Sequence, residues 1–253
     1  MSEQEFYVGY LPRAPKGIAR LIRTVIFAVL TAAAALAVGF AVVQRTFAPS
    51  VFEFGKEHAF EGVVEAKPYP ALLVRRPGKT LGQSPYSRYL LAGAGKHGAD
   101  DQVKEFAGKH VQLRGSLIYR DGQTMIELAR GSISVISGED GAQNQAVSLG
   151  VKTLTGEIVD SKCNFGVMNP GEGKVHRDCA VRCLSGGIPP AFVTPDLMGA
   201  PAVLLITDSS GHAWEKAALL RHVGQPVRLR GAVSKKGDTF FFAAEPKTLA
   251  PLR

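Results

Sequence analysis

The sequence predicts a mainly β chain behind one apolar N-terminal helix, with the β part arranged as two copies of a single module. Three observations predict it. The stretch Thr24–Val43 contains no charged residue. Downstream of it, four short segments recur in the same order. All three cysteines of the chain then fall in one run, Cys163–Cys183, which interrupts the second copy.

The length of 253 residues, 45% hydrophobic and 21% charged, suits one or two domains with real cores. The formal net charge is +8, and no long Lys/Arg run concentrates it. A nucleic-acid stripe is therefore not expected. Mild attraction to an anionic membrane surface or an acidic protein partner is.

As a helix, 24–43 spans about 30 Å, the thickness of a bilayer core. A cleaved signal peptide usually has a shorter apolar region, so an uncleaved transmembrane anchor is expected. Arg13, Lys16, Arg20 and Arg23 precede the span, and only Arg45 and Lys56 follow closely. The positive-inside rule keeps residues 1–23 in the cytoplasm and exports the bulk of the chain. In a bacterium that means the inner (plasma) membrane, with the bulk in the periplasm.

The repeat defines the rest. Gly108-Lys-His-Val-Gln-Leu-Arg-Gly115 matches Gly224-Gln-Pro-Val-Arg-Leu-Arg-Gly231. Val63-Val-Glu-Ala-Lys67 matches Ile158-Val-Asp-Ser-Lys162. Pro70–Val74 matches Pro190–Thr194, and Tyr89–Leu91 matches Val203–Leu205. Copy one, 52–137, reads as strands near 60–67, 70–76, 88–93, 110–119 and 123–136, with a short helix over 101–107. Copy two, 150–253, reads as strands near 154–162, 190–195, 202–208, 226–234 and 239–244, with a helix over 213–222. Three strands, a helix and two strands is the order of an OB-like five-stranded barrel. Residues 138–149, rich in Gly, Ser, Gln and Asn, are the expected linker. Copy two is longer between its first and second strands, so 163–189 is an insertion in a loop that such barrels use for ligands. Copy one lacks cysteine there and is expected to be scaffold or docking surface.

Cys163, His176, Cys179 and Cys183 are the candidate site. Three thiolates and one imidazole are the donor types that suit one tetrahedral metal ion. Cys179 and Cys183, four apart, share a face if helical. His176 and Cys183 would lie about 10.5 Å apart along one helix axis. Both can reach one ion only if the helix starts near Arg177. Four Cys/His ligands suit zinc best; copper(I) and an iron centre remain open. Asp160 and Asp178 lie near enough in sequence to orient the histidine. Two other outcomes stay open: a disulfide that leaves one free thiol, or three reduced, inert cysteines. Trp214 and Phe240–Phe242 are read as core and not as a base-stacking platform.

The run Val159-Asp-Ser-Lys-Cys163, with His176-x-x-Cys179-Ala-x-x-Cys183 and Gly186-Gly-Ile-Pro-Pro190, resembles a group of bacterial exported or membrane-anchored OB-like proteins. The resemblance spans 154–249. It implies that Cys163, His176, Cys179 and Cys183 form the site, and it implies no reaction.

The expectation is a membrane-anchored periplasmic metal-binding protein that serves as an accessory or assembly subunit of a membrane redox complex. The alternative is a thiol–disulfide or electron-transfer protein using the same cluster. No Ser/His/Asp arrangement, paired carboxylates or phosphate loop at useful spacing points to an enzyme.

Overall fold

The computed structural model describes residues 15–44, 49–78, 84–138, 145–214 and 216–252. The chain divides into two units, Met1–Ala48 and Pro49–Arg253.

The first unit contains helix α1, Lys16–Gln44. Its segment Lys16–Val43 is long and apolar enough to cross a membrane. Phe27, Leu30, Leu36 and Phe40 are exposed on it. A soluble protein would bury such side chains. The helix therefore has the character of a membrane anchor or a signal segment. Residues 1–14, most of the expected cytoplasmic segment, lie outside the described residues.

The second unit begins with strands β1 (Val51–Phe52), β2 (His58–Glu65), β3 (Ala71–Arg75) and β4 (Tyr86–Ala92). Helix α2 (Asp100–Val103) and a 3-10 turn (Lys104–Phe106) follow, then β5 (His110–Arg120), β6 (Gln123–Leu128) and β7 (Ser134–Val135). In space the order is β5-β2-β3-β4-β6, and β6 pairs back onto β5 to close a five-stranded barrel. The β4–β6 pair is parallel and the others in the ring are antiparallel. The second barrel repeats this with β8 (Ala146–Asp160), β9 (Pro190–Leu197), β10 (Ala200–Thr207), β11 (Pro226–Lys236) and β12 (Thr239–Ala244). Its ring runs β12-β10-β9-β8-β11 and closes through β11–β12, with β10–β12 parallel. Helix α3 (Arg177–Ser185) lies between β8 and β9. Helix α4 (Lys216–Leu220) lies between β10 and β11, and the short strand β13 (Ala250–Pro251) ends the series.

The alternation of burial follows the pleat. In β11, Val227, Leu229 and Val233 are buried, while Arg228 and Arg230 between them are exposed. The two barrels also share small devices that sequence matching had paired only in part. Gly115 and Gly231 each lie where strand four meets strand five. A Cβ there would come within 2.3 Å of the Glu127 carbonyl oxygen or 2.4 Å of that of Ala243. The Ser132 hydroxyl binds both the N–H and the C=O of Arg114, and Thr248 does the same for Arg230. Strand β7 adds to β5 as β13 adds to β11. The segment expected as one strand over 123–136 is two, β6 and β7, separated by a turn. Residues 139–144 of the expected linker lie outside the described residues. Ala146 already pairs with Lys236 in the β8–β11 ladder.

Each barrel has its own interior. Leu72, Leu91, Val111, Leu113 and Ile126 fill the first, and Ile158, Phe192, Leu204, Leu229 and Phe242 fill the second. A third cluster belongs to both: Tyr69, Leu90, Ile118 and Met125 of the first barrel pack with Val159, Cys163, Phe165, Cys183, Ile188 and Phe241 of the second. This seam positions the candidate site. Trp214, Phe241 and Phe242 are buried, consistent with the core role expected of them.

Candidate metal centre between the barrels

The first barrel joins its first two strands through residues 66–70. The second uses 161–189, which hold a π-helical turn (Cys163–Val167) and α3. Strand β8 ends at Asp160 and delivers Cys163 directly into the seam. Gly166 lets the π turn press onto the first barrel: a Cβ there would lie 2.6 Å from the Val51 carbonyl oxygen and 3.0 Å from that of Tyr119. Helix α3 begins at Arg177, as the spacing argument required, with His176 as its N-cap residue. It stops at Gly186 and Gly187, whose N–H groups donate to the carbonyls of Arg182 and Leu184.

This arrangement brings the three thiols together. Cys163 Sγ is 3.8 Å from Cys179 Sγ and 4.0 Å from Cys183 Sγ, and all three sulfurs lie within 4.8 Å of one another. Cys163 and Cys183 are buried and Cys179 is half-buried. None is in a disulfide, whose sulfurs would be about 2.05 Å apart. A tetrahedral ion with metal–sulfur bonds of about 2.3 Å sets its sulfurs about 3.8 Å apart. The two separations from Cys163 match that spacing and the third is below 4.8 Å, so the thiol trio can hold a metal ion.

His176 is placed differently. Its Nε2 is 2.8 Å from Asp160 Oδ2, with both side chains almost wholly buried. The other Asp160 oxygen, Oδ1, accepts the Cys163 N–H at 2.8 Å. Asp160, Cys163 and His176 thus form a second group able to hold an ion, with Cys163 common to both. The second ring nitrogen, His176 Nδ1, is buried and without a hydrogen-bond partner. Asp178 lies in the first turn of α3, exposed.

Three residues that sequence reasoning did not single out belong to the site's surroundings. Lys96, from the loop after β4, donates to Cys179 Sγ at 2.7 Å and reaches Cys183 Sγ at 3.7 Å. Lys162, the residue before Cys163, donates to the carbonyls of Gly93 (2.8 Å) and Gly95 (2.7 Å) and pairs with Glu127. The repeat matched Lys162 to Lys67 and so offered a faint signal. Lys96 and Glu127 gave none.

The electrostatics follow the contacts. The hydrogen bond between Cys163 and Cys183 raises the first thiol's pKa, with burial adding to the rise, and lowers the second's. Lys96 is held above its ordinary value, chiefly by its bond to Cys179. Glu157, which accepts the Gly173 N–H, is pushed up by burial.

No family model, curated protein or solved structure matches the chain.

Proposed function

We propose that this chain is a membrane-anchored, exported metal-binding protein that serves as an accessory or assembly subunit of a membrane redox complex. The carrying observation is the thiol trio at tetrahedral spacing. In this reading Cys163, Cys179 and Cys183 bind one ion, and His176, which stands beside Cys163 in the neighbouring group, moves in as the fourth donor through Nδ1 when the ion is bound. Its Nε2 on a buried carboxylate is the partner that orients metal-bound histidines. That donor set suits zinc, with copper(I) next. The ring order, with strands three and five parallel, supports reading each barrel as OB-like, and the metal loop as the one joining strands one and two. The lysine and arginine residues before the apolar span support a cytoplasmic N-terminus and a periplasmic body.

The test is metal content together with free-thiol count on the full chain, purified in detergent without chelator. One equivalent of metal, lost in Cys183→Ser, supports the reading. No metal and a single free thiol would move the function to thiol–disulfide exchange. The half-buried position of Cys179, in contact with Lys96 at the edge of the seam, favours that second reading because a partner thiol can reach it.

A further inference from the structure

We infer that the first barrel is a working part of the metal site: Lys96 supplies the charge that balances the third thiolate, and ion binding fastens the 93–98 loop across the seam. This rests on the metal-binding reading above. Three thiolates carry three negative charges and a divalent ion returns two. One negative charge is left on the thiolate cluster, two of whose sulfurs belong to buried residues, while Cys179 is half-buried and Lys96 exposed at the edge of the seam. Lys96 Nζ is the cation placed on that cluster, in contact with two of the three sulfurs.

The loop that carries Lys96 is fixed by residues flanking the cysteines on both sides. Before Cys163, Lys162 binds the carbonyls of Gly93 and Gly95. After Cys183, the Gly186 carbonyl accepts the Gly98 N–H at 2.9 Å. Two glycines make this approach possible. A Cβ on Gly186 would lie 1.8 Å from the Lys96 carbonyl oxygen, and one on Gly98 would lie 2.4 Å from that of Gly187. The same short segments therefore hold the sulfurs and the loop, so occupancy of one and order of the other are coupled. Lys96 acts through the thiolates and is a positioning residue, not a ligand.

The test uses the full chain in detergent micelles, with zinc competed against a chromophoric chelator. The variants are Lys96→Gln, Lys96→Arg and, as a surface-charge control, Lys247→Gln. Hydrogen exchange of the 93–98 amides is followed with and without zinc. Loss of a group around a metal's ligands typically costs 10–100-fold in affinity. Lys96→Gln is expected to weaken zinc by about tenfold or more at unchanged stoichiometry. Lys96→Arg should recover most of the loss, and Lys247→Gln should change nothing. Zinc should slow exchange in 93–98 in the parent chain and do so less in Lys96→Gln. Equal affinity in Lys96→Gln, or a loop whose exchange ignores zinc, overturns the inference and leaves the metal reading standing. A parent chain that binds no zinc overturns both.

Discussion

Lys162 and Glu127 form an ion pair across the seam between the two barrels, with the lysine side chain only 3% exposed and the glutamate 16%. Lys162 Nζ also takes two carbonyls of the 93–98 loop, so this one buried ammonium has three protein partners. Removing one member of a buried pair leaves the other charge uncompensated. Lys162→Met should therefore cost about 3–5 kcal/mol in urea unfolding of the chain in mild detergent. Glu127→Gln, which keeps an acceptor oxygen, should cost less. Equal, small losses in both would mean that the seam does not depend on this pair.

Asp160→Asn isolates the role of the carboxylate. The amide can still offer one oxygen to the Cys163 N–H, but its NH2 then faces His176 Nε2. That nitrogen must become the acceptor, which moves the ring proton to Nδ1 and blocks the proposed donor atom. Zinc affinity should fall by about 10–100-fold, with stability reduced by only about 1 kcal/mol. Unchanged affinity would remove His176 from the ligand set and leave the three thiols as the whole protein contribution.

Gly115 and Gly231 should respond alike to substitution because they close equivalent barrels in the same way. Alanine at either would push a methyl against a backbone carbonyl that cannot rotate away. Overpacking of this kind costs about 1–3 kcal/mol. Chemical denaturation of Gly115→Ala and Gly231→Ala should show losses of similar size. A loss in one alone would mean that the two closures differ.

Glu157 gives the fold a pH dependence of defined sign. Its folded pKa is raised by burial. The folded chain therefore holds that proton more tightly than the unfolded chain does. The associated stability is full below the unfolded carboxylate value of about 4.3 and is lost as pH rises through the raised folded value. Glu157→Gln keeps an acceptor for Gly173 and removes the titration. Its denaturation profile between pH 4 and 7 should be flatter than the parent's, with the variant gaining relative stability toward neutral pH. Parallel profiles would show that Glu157 is not a source of the slope.

Local pattern was enough for the elements and for the gathering of the thiols. A long uncharged run specified α1. Period-two alternation and four matched segments specified two modules of the same design. The i, i+4 spacing of Cys179 and Cys183, with the helix starting at Arg177, put both sulfurs on one face of α3. The expected ligand set was less legible. Sequence placed His176 with the cysteines and offered Asp160 or Asp178 to orient it, and the fold ties it to Asp160 in a neighbouring group that shares Cys163. The first copy was read as scaffold, and the fold brings its Lys96 onto two of the sulfurs.

The sequence by itself determined the anchor-like helix, the duplicated barrels and the cysteine-bearing segment between strands. Periodicity, charge and spacing are properties of neighbours along the chain, and they dictate local conformation directly. Only the tertiary structure decided that this segment wedges into a seam, that Asp160 claims His176, and that Lys96, Glu127 and Lys162 surround the site. The contacts of Lys96 and Glu127 join residues far apart in the chain. They form because two barrels bury one apolar surface between them, and pairing across that surface leaves no periodic trace in either partner's sequence.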